Sequence, residues 1–179
     1  KCNHECATQV EQKLERRKYA ALVVEPRVQG AAGMVMHPPG WLKRVAAAAR
    51  ASGALLIADE VMTGFGRTGK VFAGGKEKVV PDLLCLAKGM TGGYLPMAAT
   101  LTTQSVYDAF LGEYKEFKTF FHGHSYTGNQ LGAAAALASW ELLHQPKAKV
   151  RRKTMERVLE HELDSLWALA AVGDVRREG

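Results

Sequence analysis

LLIADEVMTGFGRTGK (residues 55–70) and PDLLCLAKGMTGG (residues 81–93), joined by a short variable insert, decide how this chain folds. Two apolar, strand-like runs, Leu55–Ala58 and Leu83–Ala87, are each followed by a charged residue, Asp59 and Lys88. Apolar runs of this length between polar or glycine-rich segments read as buried parallel strands. A charge at the carboxyl end of such a strand sits on the rim of the sheet, where α/β proteins place their ligands. Asp59 and Lys88 are therefore candidates for one site.

The flanking sequence completes the pattern. Ala20–Val24 reads as a strand ending at Glu25-Pro26, and Gln29–Gly33 opens a loop at the same rim. Trp41–Ala51 reads as a helix, with Pro39 suited to its first turn and Gly53 to its carboxyl cap. Strand, loop, helix and strand make a βαβ unit, which joins parallel strands. Further on, Pro96–Thr103 reads as a strand, Ser105–Leu111 as a short helix and the aromatic Phe117–Phe121 as a strand or edge. The tract HGHSYTGN follows at 122–129, then an alanine-rich helix over Gln130–His144. Glu5–Arg17 carries Val10 and Leu14 at helical spacing and reads as an amphipathic surface helix.

Pro146 and the basic run after it mark a boundary. Met155, Val158, Leu159, Leu163 and Leu166 fall at helical spacing beyond it, which predicts a second amphipathic helix opening a new domain. The expected division is one domain over 1–145 and the start of another over 146–179. Both ends read as cut. The chain opens in a polar helix-like run, and VGDVRREG reads as a turn entering a strand, so a fragment of a longer protein or a truncated gene product is expected.

Composition narrows the class. The apolar fraction of 47% and charged fraction of 23% are those of a soluble globular protein. No apolar run is long enough to span a membrane, so no membrane partner is expected. Three scattered cysteines do not make a disulfide framework, which favours the cytoplasm. The net charge of +6 is spread over Lys13–Lys18 and Lys147–Lys153, with glutamates nearby. Two solvated helix faces explain it, and no nucleic-acid partner is expected. Cys2, His4 and Cys6, like His122 and His124, lack the further ligands of a convincing metal set, and no metal is expected.

Gly64-Phe65-Gly66-Arg67-Thr68-Gly69 matches the glycine pattern of dinucleotide-binding turns, which requires a helix to begin inside it. The following KVFAGGKEK is a poor first helix turn, and Asp59-Glu60 would repel a pyrophosphate. A glycine-rich loop carrying Arg67 across the mouth of a site is the better reading, with Phe65 packed inward and Arg67 free to hold a carboxylate or a backbone group.

A lysine beside a glycine turn can bond a carbonyl carbon, and pyridoxal phosphate needs such a lysine together with an acid at its ring nitrogen. Asp59 and Lys88 are the right types. From spacing alone, an ordinary Asp–Lys ion pair on the rim explains them equally well.

DEVMTGFGRTGK followed by PDLLCLAKGMTGG, with EPRVQGAAGM upstream and HGHSYTGN downstream in the same order, resembles the class III aminotransferases, which are fold type I pyridoxal-phosphate enzymes. The resemblance runs over essentially the whole chain. It implies an α/β fold: part of the mostly parallel, cofactor-binding large domain of that fold, with the start of a small carboxyl-terminal α+β domain. It implies pyridoxal 5'-phosphate as cofactor and a homodimer with shared active sites. Lys88 would be the covalent anchor of the cofactor, Asp59 the partner of the pyridine nitrogen, and Val61 the packing surface for one ring face. Ser125, where the family often has threonine, would reach the cofactor phosphate of the partner subunit. His124 adjoins it, at a position where some relatives carry proline. Arg67 and Gly123 would belong to loops on the substrate side. Met62 stands where many members have a glutamine touching the ring hydroxyl, which argues against the ornithine- and 4-aminobutyrate-type branches. Glu25 and Gln29 resemble the loop beside the site, without a catalytic role.

FFHGHSYTGNQLG (120–132) and LAKGMTGGYLPMAATLTT (86–103) most resemble the biotin-pathway branch of the family. That likeness implies 8-amino-7-oxononanoate as amino acceptor and S-adenosylmethionine or lysine as donor. Another class III transaminase acting on an omega-amino acid or amine, and a non-catalytic scaffold of the same fold, are the competing expectations. The family's glycine/serine phosphate loop and ring-stacking aromatic have no counterpart in this chain.

Overall fold

The computed structural model describes residues 2–179. Helix α1 (Glu5–Arg16) leads into strand β1 (Ala21–Val24). A two-stranded antiparallel ribbon follows, β2 (Val28–Gln29) with β3 (Val35–Met36). Helix α2 (Trp41–Ser52) then returns the chain to β4 (Leu55–Asp59). Strand β5 (Leu83–Leu86) and strand β6 (Ala99–Thr102) complete a four-stranded sheet in the order β1-β4-β5-β6. The first three strands are parallel and β6 is antiparallel. Helices α3 (Gln104–Asp108), α4 (Gln130–His144) and α5 (Pro146–Asp164) follow.

The predicted βαβ unit is β1-α2-β4. Helix α2 buries Trp41, Leu42, Val45 and Ala46 against Leu56 of β4, Val24 of β1 and Ala7 of α1. Gly53 ends the helix at φ 78°, and its amide donates to the carbonyls of Ala49 and Arg50. That is the left-handed carboxyl cap glycine tolerates best. The helix begins at Trp41, two residues after Pro39: Gly40, at φ 85°, is its amino cap, so Pro39 lies outside it. Asp82 pins the bottom of the sheet, its Oδ2 accepting from the Leu56 amide at 2.7 Å.

Three expectations need correction. Leu55–Ala58 and Leu83–Ala87 were expected to be buried, yet only Leu56, Ala58 and Leu86 among them are, and Leu55 is 38% exposed. Helices α1 and α2 share the core with one face of the sheet, and among the described residues nothing comparable covers the other. Phe117–Phe121 forms no strand: a short 3₁₀ turn at Tyr114–Glu116 precedes it, and its aromatic rings stand in solvent without a sheet neighbour. The tail 172–179 forms no strand either. It is held by side chains instead, chiefly Glu178 on Arg27 and Lys76. No helix among the described residues is long and apolar enough to cross a membrane.

Candidate active site

Strands β4 and β5 are hydrogen-bonded parallel neighbours, with Asp59 opposite Cys85. Both run toward the same edge, so Asp59 and the residues just after β5 emerge together. Asp59 Oδ1 accepts from the Val61 amide at 3.0 Å, which turns the chain off the strand and fixes the carboxylate. Its other oxygen has no protein partner among the described residues.

Strand β5 ends at Leu86. Ala87 remains extended, and Lys88 opens a 3₁₀ turn over Lys88–Thr91 at φ 46°. A non-glycine residue in this left-handed region costs about 1–2 kcal/mol, and such strain is concentrated at functional sites. Lys88 is exposed and its amine pairs with no carboxylate among the described residues. The turn is clamped from behind. Gly89 lies so close to Phe65 that an added Cβ would sit 3.0 Å from the Phe65 Cβ. Ser139 of α4 donates to the Gly89 carbonyl at 3.2 Å.

The glycine-rich loop 64–69 is a loop, as its sequence required, and no helix starts within it. Phe65, at φ 58°, packs edge-on against Phe72 and Trp140, with ring centroids 5.8 and 6.5 Å apart. Arg67 is exposed, and its guanidinium has no hydrogen-bond partner among the described residues. Glu60 anchors the loop. It is 1% exposed, and it accepts from the Ala73 and Gly74 amides at 2.6 and 2.9 Å and from the Thr63 hydroxyl at 3.3 Å. Burial pushes the Glu60 carboxyl above its ordinary pKa, partly offset by those three donors.

A cleft of about 730 Å³ opens over these loops. Lys88, Met62, Phe65, Arg67, Met34 and Met36 are among its walls. Glu25 and Gln29 are not among the cleft's lining residues and act on the neighbouring loop: Glu25 Oε2 accepts from the Gly30 amide at 2.9 Å, and the Gln29 side-chain Nε2 contacts His37 Nε2 at 3.2 Å. A side chain on Gly30 would collide with Met62, so glycine is what lets the loop close on the methionine. His37 is buried and stacked on Trp41 with centroids 3.7 Å apart. Burial, then the Arg27 charge, holds its pKa below the ordinary 6.5.

The structure brings together Lys88, Met62 and Arg67 in one cleft and sets Asp59 and Val61 at the adjacent strand end, outside the cleft's lining. It does not bring in Gly123, His124 or Ser125. All of 121–130 is exposed, and local bonds shape the turn: His124 Nδ1 accepts from the Tyr126 amide at 3.1 Å and the His124 amide donates to Thr127 Oγ1 at 2.9 Å. Sequence reasoning passed over Glu60 as a second rim charge. The signal was present, since a residue following a strand-end aspartate points the other way, toward the unblocked amides around Gly74. His37 and the methionines at 34 and 36 gave no comparable signal.

The family profile described as "Aminotransferase class-III" matches residues 1–179. The chain belongs to the class-III aminotransferases. A curated family member, adenosylmethionine-8-amino-7-oxononanoate aminotransferase of Geobacter sulfurreducens, is 51% identical over 99% of this chain. The chain spans 40% of that relative's length. Among solved class-III structures, the enzyme of the same name from Methanocaldococcus jannaschii superposes with a TM-score of 0.93 at 42% identity, covering 98% of this chain and 41% of that one. An amine transaminase from an uncultivated Pseudomonas species, solved in its PLP-bound form, gives a TM-score of 0.87 at 37% identity over 98% of this chain and 40% of its own. The α/β architecture, mostly parallel with one antiparallel edge strand, is therefore that of part of the class-III aminotransferase fold.

Proposed function

We propose that the full-length protein carrying this chain is a pyridoxal 5'-phosphate-dependent aminotransferase of biotin biosynthesis. It would convert 8-amino-7-oxononanoate to 7,8-diaminononanoate, taking the amino group from S-adenosylmethionine or lysine. The observation that carries the enzyme reading is the pair of unpartnered groups, the Lys88 amine on a strained turn and one Asp59 oxygen on the adjacent parallel strand. The choice of substrates rests on the relatives: curated proteins named for this reaction are 37–54% identical to the chain over most of its length.

The donor set fits pyridoxal phosphate. That cofactor supplies an electron sink for a bond breaking at the carbon that carries the amine. Lys88 would hold the cofactor through its amine and, once an incoming amine has freed Nζ, would carry a proton to and from that carbon. Asp59, its orientation set by the Val61 amide, would keep a proton on the ring nitrogen. Val61 offers an apolar surface to one ring face. Arg67 would stand on the substrate side as a guanidinium suited to a carboxylate, and Gly123, outside the cleft in this chain, would stand on the substrate side only with the loop that reaches the partner's site.

The protein is proposed to work in the cytoplasm as a homodimer, with Ser125 and its neighbour His124 of one protomer reaching the cofactor phosphate in the partner's site. The exposure of 121–130, beside Tyr114, Phe117 and Phe121 at 88%, 76% and 83% exposed, supports this, because clustered bare aromatics mark an interaction surface. Residues 1–145 would belong to the large domain and 146–179 would begin the small one.

The experiment is an amino-transfer assay of the full-length protein. Formation of 7,8-diaminononanoate from 8-amino-7-oxononanoate with either donor supports the reading. Turnover of an omega-amino acid or amine in its place would assign a different class-III reaction, and no turnover of any kind would leave a scaffold of this fold.

A further inference from the structure

Arg27 has no part in the chemistry proposed above, yet it is one of the most thoroughly engaged charges in the chain. Its side chain is 11% exposed and its backbone sits at φ 70°. Nε and Nη2 donate to the two carboxylate oxygens of Glu178, both at 3.0 Å, a bidentate pair joining residues 151 apart in sequence. Nη1 donates to Glu77 at 3.1 Å. Lys76 Nζ donates to Glu178 at 2.7 Å. The second Glu77 oxygen accepts from the Lys43 amide, in the first turn of α2, at 2.9 Å. Two cations, two carboxylates and a helix amide thus form one balanced network. It ties the bend after β1, the start of α2, the turn at 73–77 and the tail 174–179 together.

What this network holds is the β2–β3 ribbon. Each strand has two residues, far below what makes a two-stranded ribbon stable by itself. Met34 and Val35 are 55% and 42% exposed, so apolar burial does little to fix them. The ribbon's base is closed by the His37 amide donating to the Arg27 carbonyl at 2.8 Å. Its tip is held by Arg176, whose Nη1 donates to the Met34 carbonyl at 3.1 Å. Both ties run through Arg27 or the tail.

We infer that Arg27 and Glu178 form a positioning clamp that holds the Met34 and Met36 wall of the cleft that Lys88 also lines, and thereby sets how the apolar body of the substrate fits. Methionine suits such a wall, being unbranched and polarizable. Losing Glu178 removes the bidentate half of the pairing and leaves Arg27 and Lys76 with Glu77 as the one carboxylate in the network, which frees the tail and with it the ribbon. The substrate half of the inference rests on the transaminase reading.

The test uses the full-length holoenzyme with Glu178→Gln, and Lys76→Met as a milder second variant that removes only an outer bond. Hydrogen exchange is measured without substrate. Amides 28–37 are expected to exchange about tenfold faster in Glu178→Gln, and less so in Lys76→Met, while β4 and β5 and the cofactor absorbance stay unchanged. The KM for the amino acceptor is expected to rise about tenfold with kcat within about twofold, the pattern of lost uniform binding. Unchanged exchange over 28–37 in either folded variant, faster exchange spread across β4 and β5, or an unchanged acceptor KM overturns the clamp. If the wild-type protein transaminates nothing, the transaminase reading fails while the exchange measurement still decides whether the ribbon is clamped.

Discussion

Asp59 and Lys88 leave neighbouring parallel strands at one edge of the sheet and yet do not pair with each other. Asp59 instead accepts from the Val61 amide, and Lys88 starts a left-handed turn with its amine unpaired among the described residues. An ordinary rim ion pair, which spacing alone allowed, is not what the chain builds. Two groups of opposite charge kept apart at one rim suit a ligand that takes both.

The strain at Lys88 predicts a separation of activity from stability. Lys88→Ala should lower amino transfer by at least about 10³-fold, since it removes both anchor and proton carrier. Lys88→Gly should lose as much activity but unfold at higher denaturant than Lys88→Ala, by about 1 kcal/mol, because glycine accepts φ 46° without a Cβ clash. Urea unfolding of the two variants beside an activity assay checks this. Equal midpoints would mean the turn is not strained.

Asp59→Asn keeps an acceptor for the Val61 amide and removes the charge. The loop should therefore remain in place while amino transfer falls by about 10²–10⁴-fold. A shift in the absorbance of the bound cofactor should accompany the loss. An asparagine variant of near-normal activity would show that Asp59 shapes the turn and nothing more.

Glu60→Gln tests the anchor of the glycine-rich loop. Its two carboxylate oxygens face the amides of Ala73 and Gly74, so a glutamine must turn its NH₂ toward one of these donors. The loss should be about 1–3 kcal/mol, the cost of leaving a buried donor unsatisfied. Chemical unfolding measures it. Loss of activity with unchanged stability would assign Glu60 to the chemistry instead.

The pH dependence of stability follows from three buried groups with opposed signs. The pKa of His37 lies below its ordinary 6.5, so its contribution is complete above that value and is lost as pH falls through the lower folded pKa. Glu178 behaves alike below 4.5: burial raises its pKa, but the hydrogen bonds and charges of Arg27 and Lys76 outweigh burial and leave it lowered. Glu60 is raised, so its contribution is present below 4.5 and is lost as pH rises through the folded pKa. His37→Phe, which keeps a ring against Trp41 and cannot be protonated, should lose less stability on acidification below 6.5 than the wild type. Glu60→Gln should lose more, having given up a group that gains on protonation. Unfolding midpoints over this pH range test both, and parallel curves for all three proteins would refute the assignment.

Much of this was legible in the sequence because it depends on local pattern. Apolar runs bounded by glycine and charge located β1, β4 and β5. The glycine at 53 ended α2, and the poor helix-forming run after Gly69 excluded a dinucleotide turn. What escaped depends on contacts between distant segments. Nothing in VGDVRREG signals that Glu178 reaches Arg27, because side-chain pairing across 151 residues leaves no periodicity. Phe117–Phe121 reads as a strand from β-propensity, but that propensity needs a sheet edge to pair with, and none is offered there. Ser125 could be placed at a site only through family resemblance, since in this chain it is exposed and lies outside the lining of the cleft that holds Lys88.

The central claim is that Lys88 is the covalent anchor of pyridoxal phosphate. The most direct measurement is borohydride reduction of the full-length protein with pyridoxal 5'-phosphate, followed by peptide mapping. The account predicts one pyridoxyl group per chain, on Lys88. A group on another lysine, or no stable label, would contradict it.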